Sequence, residues 1–495
     1  MKHYNKRIAA FLIIAVMISI FNIGDKEQSV AAAELPAATA PVVQPSPTPA
    51  GTWMGPTMKP QIETGTVETP FTTVTPSVSP VPTPTSSATA IPTPVITPAP
   101  VKEEMRGVWV AFYEYEKAGL KNKSEKTFRK NADKLFKKIK ENGCNAVFFH
   151  VRAFDDAIWP SEHFKFSSYM GKECPDYDPL EILVTSAHKY GLKFHAWMNP
   201  YRITQKKIYD PAKKSTTSRI KLAVREVIDN YDVDGIHFDD YFYPGSGHKQ
   251  YKKYASLSNK KKKANVNKMV QTIYRGIKAK NPDVLFGISP AGNVEYSESL
   301  GADVKTWMKA PGYLDYIAPQ IYWSNNYRVG KKTVRMFDTR FSKWKRLNKA
   351  NIPMYIGLAL YRGGMKDASD RGWRKNNKII ASQISKIRRS EKVYGYILFS
   401  YESLYKKTCR YEVQNMLKRI VQIKVKKVTK DGTTRLKTTV YPSRLGQAVI
   451  WKSSNPAIAA INNKGKISVK KSGIVKFTVQ KAGKKVSVKL NTEDM

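Results

Sequence analysis

Eight apolar runs of strand length recur between residues 106 and 402, separated by segments whose apolar residues repeat at helical spacing. The runs are "RGVWVAFYE" (106–114), "NAVFFHVRAF" (145–154), "LKFHAWMNPYR" (192–202), "VDGIHFDDYFYP" (233–244), "VLFGISPAG" (284–292), "LDYIAPQIYW" (314–323), "PMYIGLALY" (353–361) and "YGYILFSYE" (394–402). Between the first two, Phe128, Ala132, Leu135, Phe136 and Ile139 mark one face of a helix, with Ser124 placed to cap it and Gly143 to end it. After the second run, "DPLEILVTSAHKYG" offers Asp178 as a cap, Pro179 at the first helical position and Glu181 to complete a capping-box pattern. Eight strands alternating with helices predict an α/β fold, a (β/α)₈ TIM barrel over residues 103–420. A doubly wound open sheet is the competitor, but it normally carries a Gly-rich phosphate loop after its first strand, and the sequence has none.

The pattern changes on both sides of this region. Past residue 420, short alternating strands such as Lys466 to Val469 and Val475 to Val479 are spaced by Gly and Asn turns, which predicts a small β-sandwich over 421–495. Residues 34–102 are rich in Pro, Thr, Ser and Ala with few charges; such a tract cannot bury a core and reads as an extended, semi-rigid tether. Residues 1–33 read as an export signal. Lys2, Lys6 and Arg7 precede an apolar stretch from Ile8 to Ile23, and "SVAAAEL" offers small residues for cleavage near Ala33. The competing reading is an uncleaved anchor, although the run is short for a span of about 20 residues. Either way the bulk of the chain is expected outside the cytoplasm, secreted or associated with a cell wall.

Charge and cysteine content narrow the partners. The formal net charge is +44 over 495 residues. Most lysine runs, such as Lys260 to Lys263, are expected to be solvated surface. Nucleic acid is the usual partner of so basic a chain, but no nucleic-acid motif is present and export argues against it. Anionic cell-wall polymers would be attracted by the same field. Cys144, Cys174 and Cys409 are the only cysteines, and they fit neither a disulfide framework nor a metal pattern of the CxxC type. No cofactor or metal is expected.

In a barrel of this kind the chemistry sits where the strands end. Those positions collect carboxylates, amides and aromatic rings, the residue types that cleave and bind a sugar. If Ile236 and Phe238 face the helices, His237 and Asp239 face the interior, with Asp239 at the mouth and Asp240 on the rim. A buried aspartate is expensive unless paired or functional; the alternative to catalysis is an ion pair with Arg152 or Arg202. Glycosidic cleavage needs a second carboxylate, for which Glu295, Asp156 and Glu402 are candidates. His195 and His237 are candidate substrate-binding residues that neighbouring hydroxyls could equally satisfy; with Asp239 they could also hold a metal, though no close-spaced ligand motif supports that. Trp197, Tyr243, Tyr322 and Trp323 are candidate sugar platforms, and Asn199, Arg202 and Gln320 candidate binders of hydroxyl or carboxyl groups. A non-catalytic wall-binding protein or adhesin is the competing function.

"RGVWVAF", "VRAFDDAIWPSEHF", "HAWMNPYR", "YDVDGIHFDDYFYP", "GISPAGN" and "DYIAPQIYW" occur in order, and together they resemble the glycosyl-hydrolase-like family 10, exported bacterial barrel proteins. The resemblance spans 103–404 and implies glycoside hydrolase activity, with peptidoglycan glycan stripped of its stem peptides as the substrate. On its motifs, Asp156, His195, Asn199, Asp239, Asp240 and Gln320 match the family pattern, whereas Glu295 stands where related sequences vary. The C-terminal phrases from Trp451 to Ala459 and from Gly465 to Gly473 resemble bacterial immunoglobulin-like modules of the second group, which implies a spacing or adhesive domain. Chitinase-type barrels carry D-G-x-D-x-D-x-E on the fourth strand. Here Asp234, Gly235, His237, Asp239 and Tyr241 fall on those positions, so the terminal glutamate is missing.

Overall fold

The computed structural model describes residues 103–239, 241–375 and 377–495. The expected signal segment, the tether and Asp240 lie outside the described residues. Eight strands form a closed parallel barrel: β1 (Met105–Val110), β2 (Ala146–Arg152), β3 (Lys193–Met198), β4 (Gly235–Asp239), β5 (Leu285–Ser289), β6 (Tyr316–Ile317), β7 (Met354–Leu358) and β8 (Val393–Phe399). Each pairs with its neighbours in sequence, and β8 returns to β1. Helices α1 (Glu125–Glu141), α2 (Pro179–Lys189), α3 (Lys214–Asn230), α4 (Asn259–Lys280), α5 (Val294–Ser299), α6 (Met336–Leu347), α7 (Ile379–Arg388) and α8 (Arg410–Arg419) lie on the connections and after β8.

The apolar periodicity is what places these helices. α1 buries Phe128, Ala132, Leu135, Phe136 and Ile139. Asp178 caps α2 by accepting the backbone N–H groups of Leu180 and Glu181 at 2.8 and 3.2 Å, a bond that satisfies donors the first helical turn cannot. Two details differ from expectation. The Ser124 hydroxyl donates to the Thr127 side chain and makes no cap bond, and Glu181 accepts from Thr185 one turn on.

Alternation along the strands divides the apolar residues into two cores. Outward-facing side chains such as Ile236, Phe238 and Phe286 pack under the helices. Inward-facing Trp109, Phe148, Trp197, Tyr316, Tyr355 and Ile397 fill the barrel. The expected inward direction of His237 and Asp239 follows from the same period of two.

The C-terminal region is a β-sandwich of β9 (Gln422–Lys430), β10 (Thr433–Tyr441), β11 (Ile450–Ser453), β12 (Ala459–Ile461), β13 (Ile467–Val469), β14 (Ile474–Lys481) and β15 (Lys484–Asn491). Its core is separate, built on Leu436, Trp451, Val475, Phe477 and Val479. It meets the barrel at the end of α1, where the Tyr441 hydroxyl donates to the Cys144 carbonyl at 3.1 Å and Arg444 donates to Asn142 and to the Leu404 carbonyl.

Candidate active site

The site is best built from the barrel floor upward. Burial holds His195 and His237 neutral, His195 down at about 4 and His237 well below the ordinary range. Both are fully buried, so each ring nitrogen needs a partner of fixed role. Trp109 has only a donor to offer, and its Nε1–H reaches His237 Nε2 at 3.2 Å. His237 therefore carries its proton on Nδ1 and donates it to the Tyr316 oxygen, 3.0 Å away. The Tyr316 hydroxyl in turn reaches His195 Nδ1 at 3.1 Å. Two glycines make room for this stack. A Cβ on Gly235 would lie 2.3 Å from His195 Nδ1, and one on Gly287 would lie 2.1 Å from the Tyr316 ring. His237 is thus satisfied at both ring nitrogens through tyrosine, indole and serine groups inside the barrel, and His195 at Nδ1 through Tyr316.

Ser289 links this floor to the carboxylate above. Its hydroxyl lies 3.0 Å from His237 Nε2 and 3.4 Å from Asp239 Oδ1. Asp239 ends β4 and is only 6% exposed. Gln320 donates its amide to Asp239 Oδ1 at 2.8 Å and to the Ser289 carbonyl at 2.9 Å. Both of these amide protons go to acceptors, so the side chain has one orientation and fixes the carboxylate with it. Gln320 itself is held by bridges to Ala291 and Gly357, beyond the short strand β6.

The other carboxylates separate by environment. Asp156, half-buried just beyond β2, accepts the Phe154 N–H at 3.0 Å; burial pushes its pKa up, with Ser167, that N–H and the Arg152 charge opposing. Its neighbour Asp155 is the ion-pair residue, clamped by Arg152 at 2.8 Å and by both guanidinium arms of Arg219 at 2.7 and 2.8 Å; despite burial, Arg219, Tyr209 and Arg152 hold it below the usual range. Glu295 is exposed on α5 and pairs with Lys343 and Arg340 of α6, which lower its pKa. That is the reverse of what a proton donor needs, so the expected acid role of Glu295 is corrected. Glu402 pairs with Lys117 at 2.6 Å. Glu114, fully buried, bolts β1 to β8 by accepting from Ala111 N, Ser400 Oγ and Glu402 N. Among the described residues no group of three or more His, Cys, Asp or Glu is placed to hold a metal ion.

The expected sugar-binding residues divide in the same way. Trp197 is 3% exposed, and one ring face is already stacked on His150 at 3.8 Å. Tyr243 packs in the outer core, with its hydroxyl accepting from Asn265 at 2.8 Å. Trp323 joins that outer core beside Arg340. The packing of Tyr243 and Trp323 between strands and helices corrects the platform role expected for them. Tyr322 meets Tyr361 and Phe399 edge-on and tilted, about the ends of β7 and β8. Half-buried Arg202 lies over the Tyr241 ring at 3.5 Å. Tyr113 is also half-buried, yet its hydroxyl is desolvated and feels Glu114, Tyr241, Glu402 and Tyr361, which together raise its pKa. The ends of β1, β4, β7 and β8 thus bring Tyr241, Tyr361 and Glu402 within electrostatic reach of Tyr113.

Inward-facing residues on β2 and β3 supply what the strand-end search overlooked. His150, 1% exposed, has no protein partner at either ring nitrogen among the described residues, and Trp197 Nε1, His195 Nε2 and Asn199 Oδ1 likewise have none. Asn199 is oriented by donating to the Ala153 carbonyl at 2.8 Å. Buried polar atoms left open are uncommon and call for water or a ligand. The signal for His150 was its place in the alternation of β2, two residues beyond Phe148.

Comparison with known proteins adds to this geometry. Residues 104–208 and 202–375 match the family model "Glycosyl hydrolase-like 10", and residues 419–490 match "Bacterial Ig-like domain (group 2)". The chain is 31% identical over 362 residues to glycosyl hydrolase YngK of Bacillus subtilis, covering 61% of this chain and 69% of that protein. It is 30% identical over 378 residues to glycosyl hydrolase DigH of Escherichia coli K12, covering 61% of this chain and 84% of that one. Among solved structures, the glycoside hydrolase domain of PgaB (BpsB) from Bordetella bronchiseptica aligns with a TM-score of 0.46 at 11% identity, over 63% of this chain and 99% of that domain.

Proposed function

Since the chain belongs to the glycosyl hydrolase-like 10 family and is a glycoside hydrolase, we propose that it is exported and cleaves a cell-envelope polysaccharide, above all peptidoglycan glycan strands without stem peptides. The observation that carries the reading is Asp239. It is a buried carboxylate at the end of β4, bonded by the Gln320 amide and 3.4 Å from the Ser289 hydroxyl. A carboxylate held in this way is ready to act on a sugar, as nucleophile or as the base that activates water. Asp156 is the candidate proton donor to the leaving oxygen: a half-buried carboxyl just beyond β2 that accepts the Phe154 N–H, its protonated form favoured by burial. Asp240, the next residue in the chain, orients the substrate or tunes acidity. Tyr113 and Tyr361 offer rings to the sugar, while Asn199 and Arg202 bind its hydroxyl or carboxyl groups. The overall positive charge would keep the enzyme near anionic envelope polymers.

The test is an assay of purified protein on peptide-free peptidoglycan strands and on chitin-type oligomers, reading release of reducing ends. Asp239→Asn is expected to lose about 10³-fold in kcat with the fold intact. Parent-like cleavage by that variant would overturn the mechanism. Binding of wall material without any cleavage by the parent would point to a lectin-like role.

A further inference from the structure

The C-terminal sandwich holds 17 Lys or Arg residues against 3 Asp or Glu within residues 421–495. Among the described residues, which include the whole sandwich, the ion pairs join barrel residues and none forms within the sandwich. Its cations therefore remain uncompensated at the surface, and the strand registers show where they gather.

On the sheet of β11, β14 and β15, alternation turns Trp451, Phe477 and Val479 to the core and their neighbours outward. Lys476 faces Lys489 directly across the β14–β15 pair, Thr478 faces Ser487, and Lys485 follows on the next rung. Lys452 of β11 stands beside Thr478. All four lysines are exposed. The two hydroxyls lie 2.9 Å apart at the centre of the face. Like charges opposed across a ladder are unfavourable; Lys426 faces Lys437 in the same way across β9–β10, and what sets the β14–β15 face apart is the hydroxyl pair between its cations. With rungs roughly 7 Å apart, cations flank the hydroxyl pair at roughly 13 Å from end to end. That pattern matches a single flexible chain of phosphodiesters separated by hydroxyl-bearing linkers.

We propose that this three-stranded face is a binding site for a polyol phosphodiester polymer, which docks the enzyme on an anionic envelope independently of its barrel. Lys452, Lys476, Lys485 and Lys489 take the phosphates, and Thr478 with Ser487 takes the intervening hydroxyls. The site goes beyond the hydrolase reading and does not depend on it.

Binding of the full chain to synthetic poly(glycerol phosphate) is measured from 50 to 200 mM salt, for the parent and for two variants. The first changes Lys452, Lys476, Lys485 and Lys489 to Gln. The second changes Lys424, Lys426, Arg435 and Lys437, on the outer face of the other sheet, to Gln. The first is expected to lose at least tenfold in affinity and to flatten the log–log salt slope by roughly 3, the share of four contacts to a single strand. The second should change affinity by less than threefold. Equal losses in both variants, no loss in the first, or tighter parent binding to duplex DNA at equal phosphate would each overturn the proposal. Cleavage of short soluble glycans by the first variant should equal the parent's, so a failure here leaves the barrel's assignment standing.

Discussion

Inside the barrel, polar side chains are tied by directed hydrogen bonds: His237 between Trp109 and Tyr316, Asp239 to Gln320. On the sandwich the order is reversed, with apolar side chains inside and Lys476 opposed to Lys489 in solvent. Both regions are sheets with a period of two. The difference is closure. A closed barrel buries both faces of every strand, so an inward polar group must be bonded or left open for a ligand. A two-sheet sandwich leaves an outer face to water, where charge is cheap and long-ranged. The barrel thus concentrates chemistry at a point, and the sandwich spreads attraction over a surface.

The contrast breaks most sharply at the carboxylates. Asp156→Asn keeps the acceptor for Phe154 N–H but cannot donate a proton, and kcat is expected to fall about 10³-fold. The parent's activity should decline as pH rises through the raised Asp156 pKa, a limb the variant would lack. Glu295→Gln, which dissolves only the surface pairs with Lys343 and Arg340, should stay within about twofold of the parent. A kinetic series on one glycan substrate decides it; the opposite ranking would return the acid role to Glu295.

A second effect concerns stability. Burial pushes both Glu114 and Glu412 up to about 7 from an ordinary 4.5. A carboxyl whose folded pKa is raised binds its proton more tightly in the native state. Its contribution is full below about 4.5 and is lost as pH rises through about 7. For Glu114 the loss amounts to about 3 kcal/mol at most. Buried His150, His195 and His237, held below the ordinary range, act in the opposite sense up to about 6.5, so the carboxyl contribution is read as a difference: denaturant midpoints of the parent should lose ground to those of Glu114→Gln between pH 5 and pH 8. Asp155 and Asp338, held below the usual range, act in the opposite sense and lose their contribution on acidification. A parent that gains on Glu114→Gln from pH 5 to pH 8 would contradict the assignment.

The eight strands were legible because barrel strands are apolar on both faces, and alternation alone aimed His237 and Asp239 inward. Strand extent was less legible. The run 314–323 contains only Tyr316–Ile317 as ladder, because Pro319 has no N–H to continue it; Gln320 rejoins by isolated bridges. Glu295 misled for a different reason. Its partners Lys343 and Arg340 come from a helix some fifty residues later, and no local pattern announces that. Tyr243 and Trp323 lie past their strands, where the period of two no longer governs direction. The bonds of Tyr316 to His195 and His237 depend on the room left by Gly235 and Gly287 on other strands, which no local pattern announces.

Those glycines provide a smaller test. Gly287→Ala would drive a methyl into the Tyr316 ring and disturb the bonds to both histidines. Overpacking of this kind is expected to lower stability by about 1–3 kcal/mol, read as a drop in Tm. The paired substitution Gly287→Ala with Tyr316→Phe should not restore it, since the ring remains.

The smallest effect lies on the sandwich and has the opposite sign. Lys476→Gln removes one of two cations facing each other across β14 and β15, with no carboxylate of the sandwich engaged in an ion pair to be orphaned. The fold should become more stable by about 0.2–1 kcal/mol. Added salt should narrow the difference, because screening relieves the same repulsion in the parent. Melting curves of parent and variant at 20 and 300 mM salt measure both quantities. A variant less stable than the parent at low salt would mean that Lys476 is held by contacts its charge makes favourable, and that the cationic face is not strained when empty.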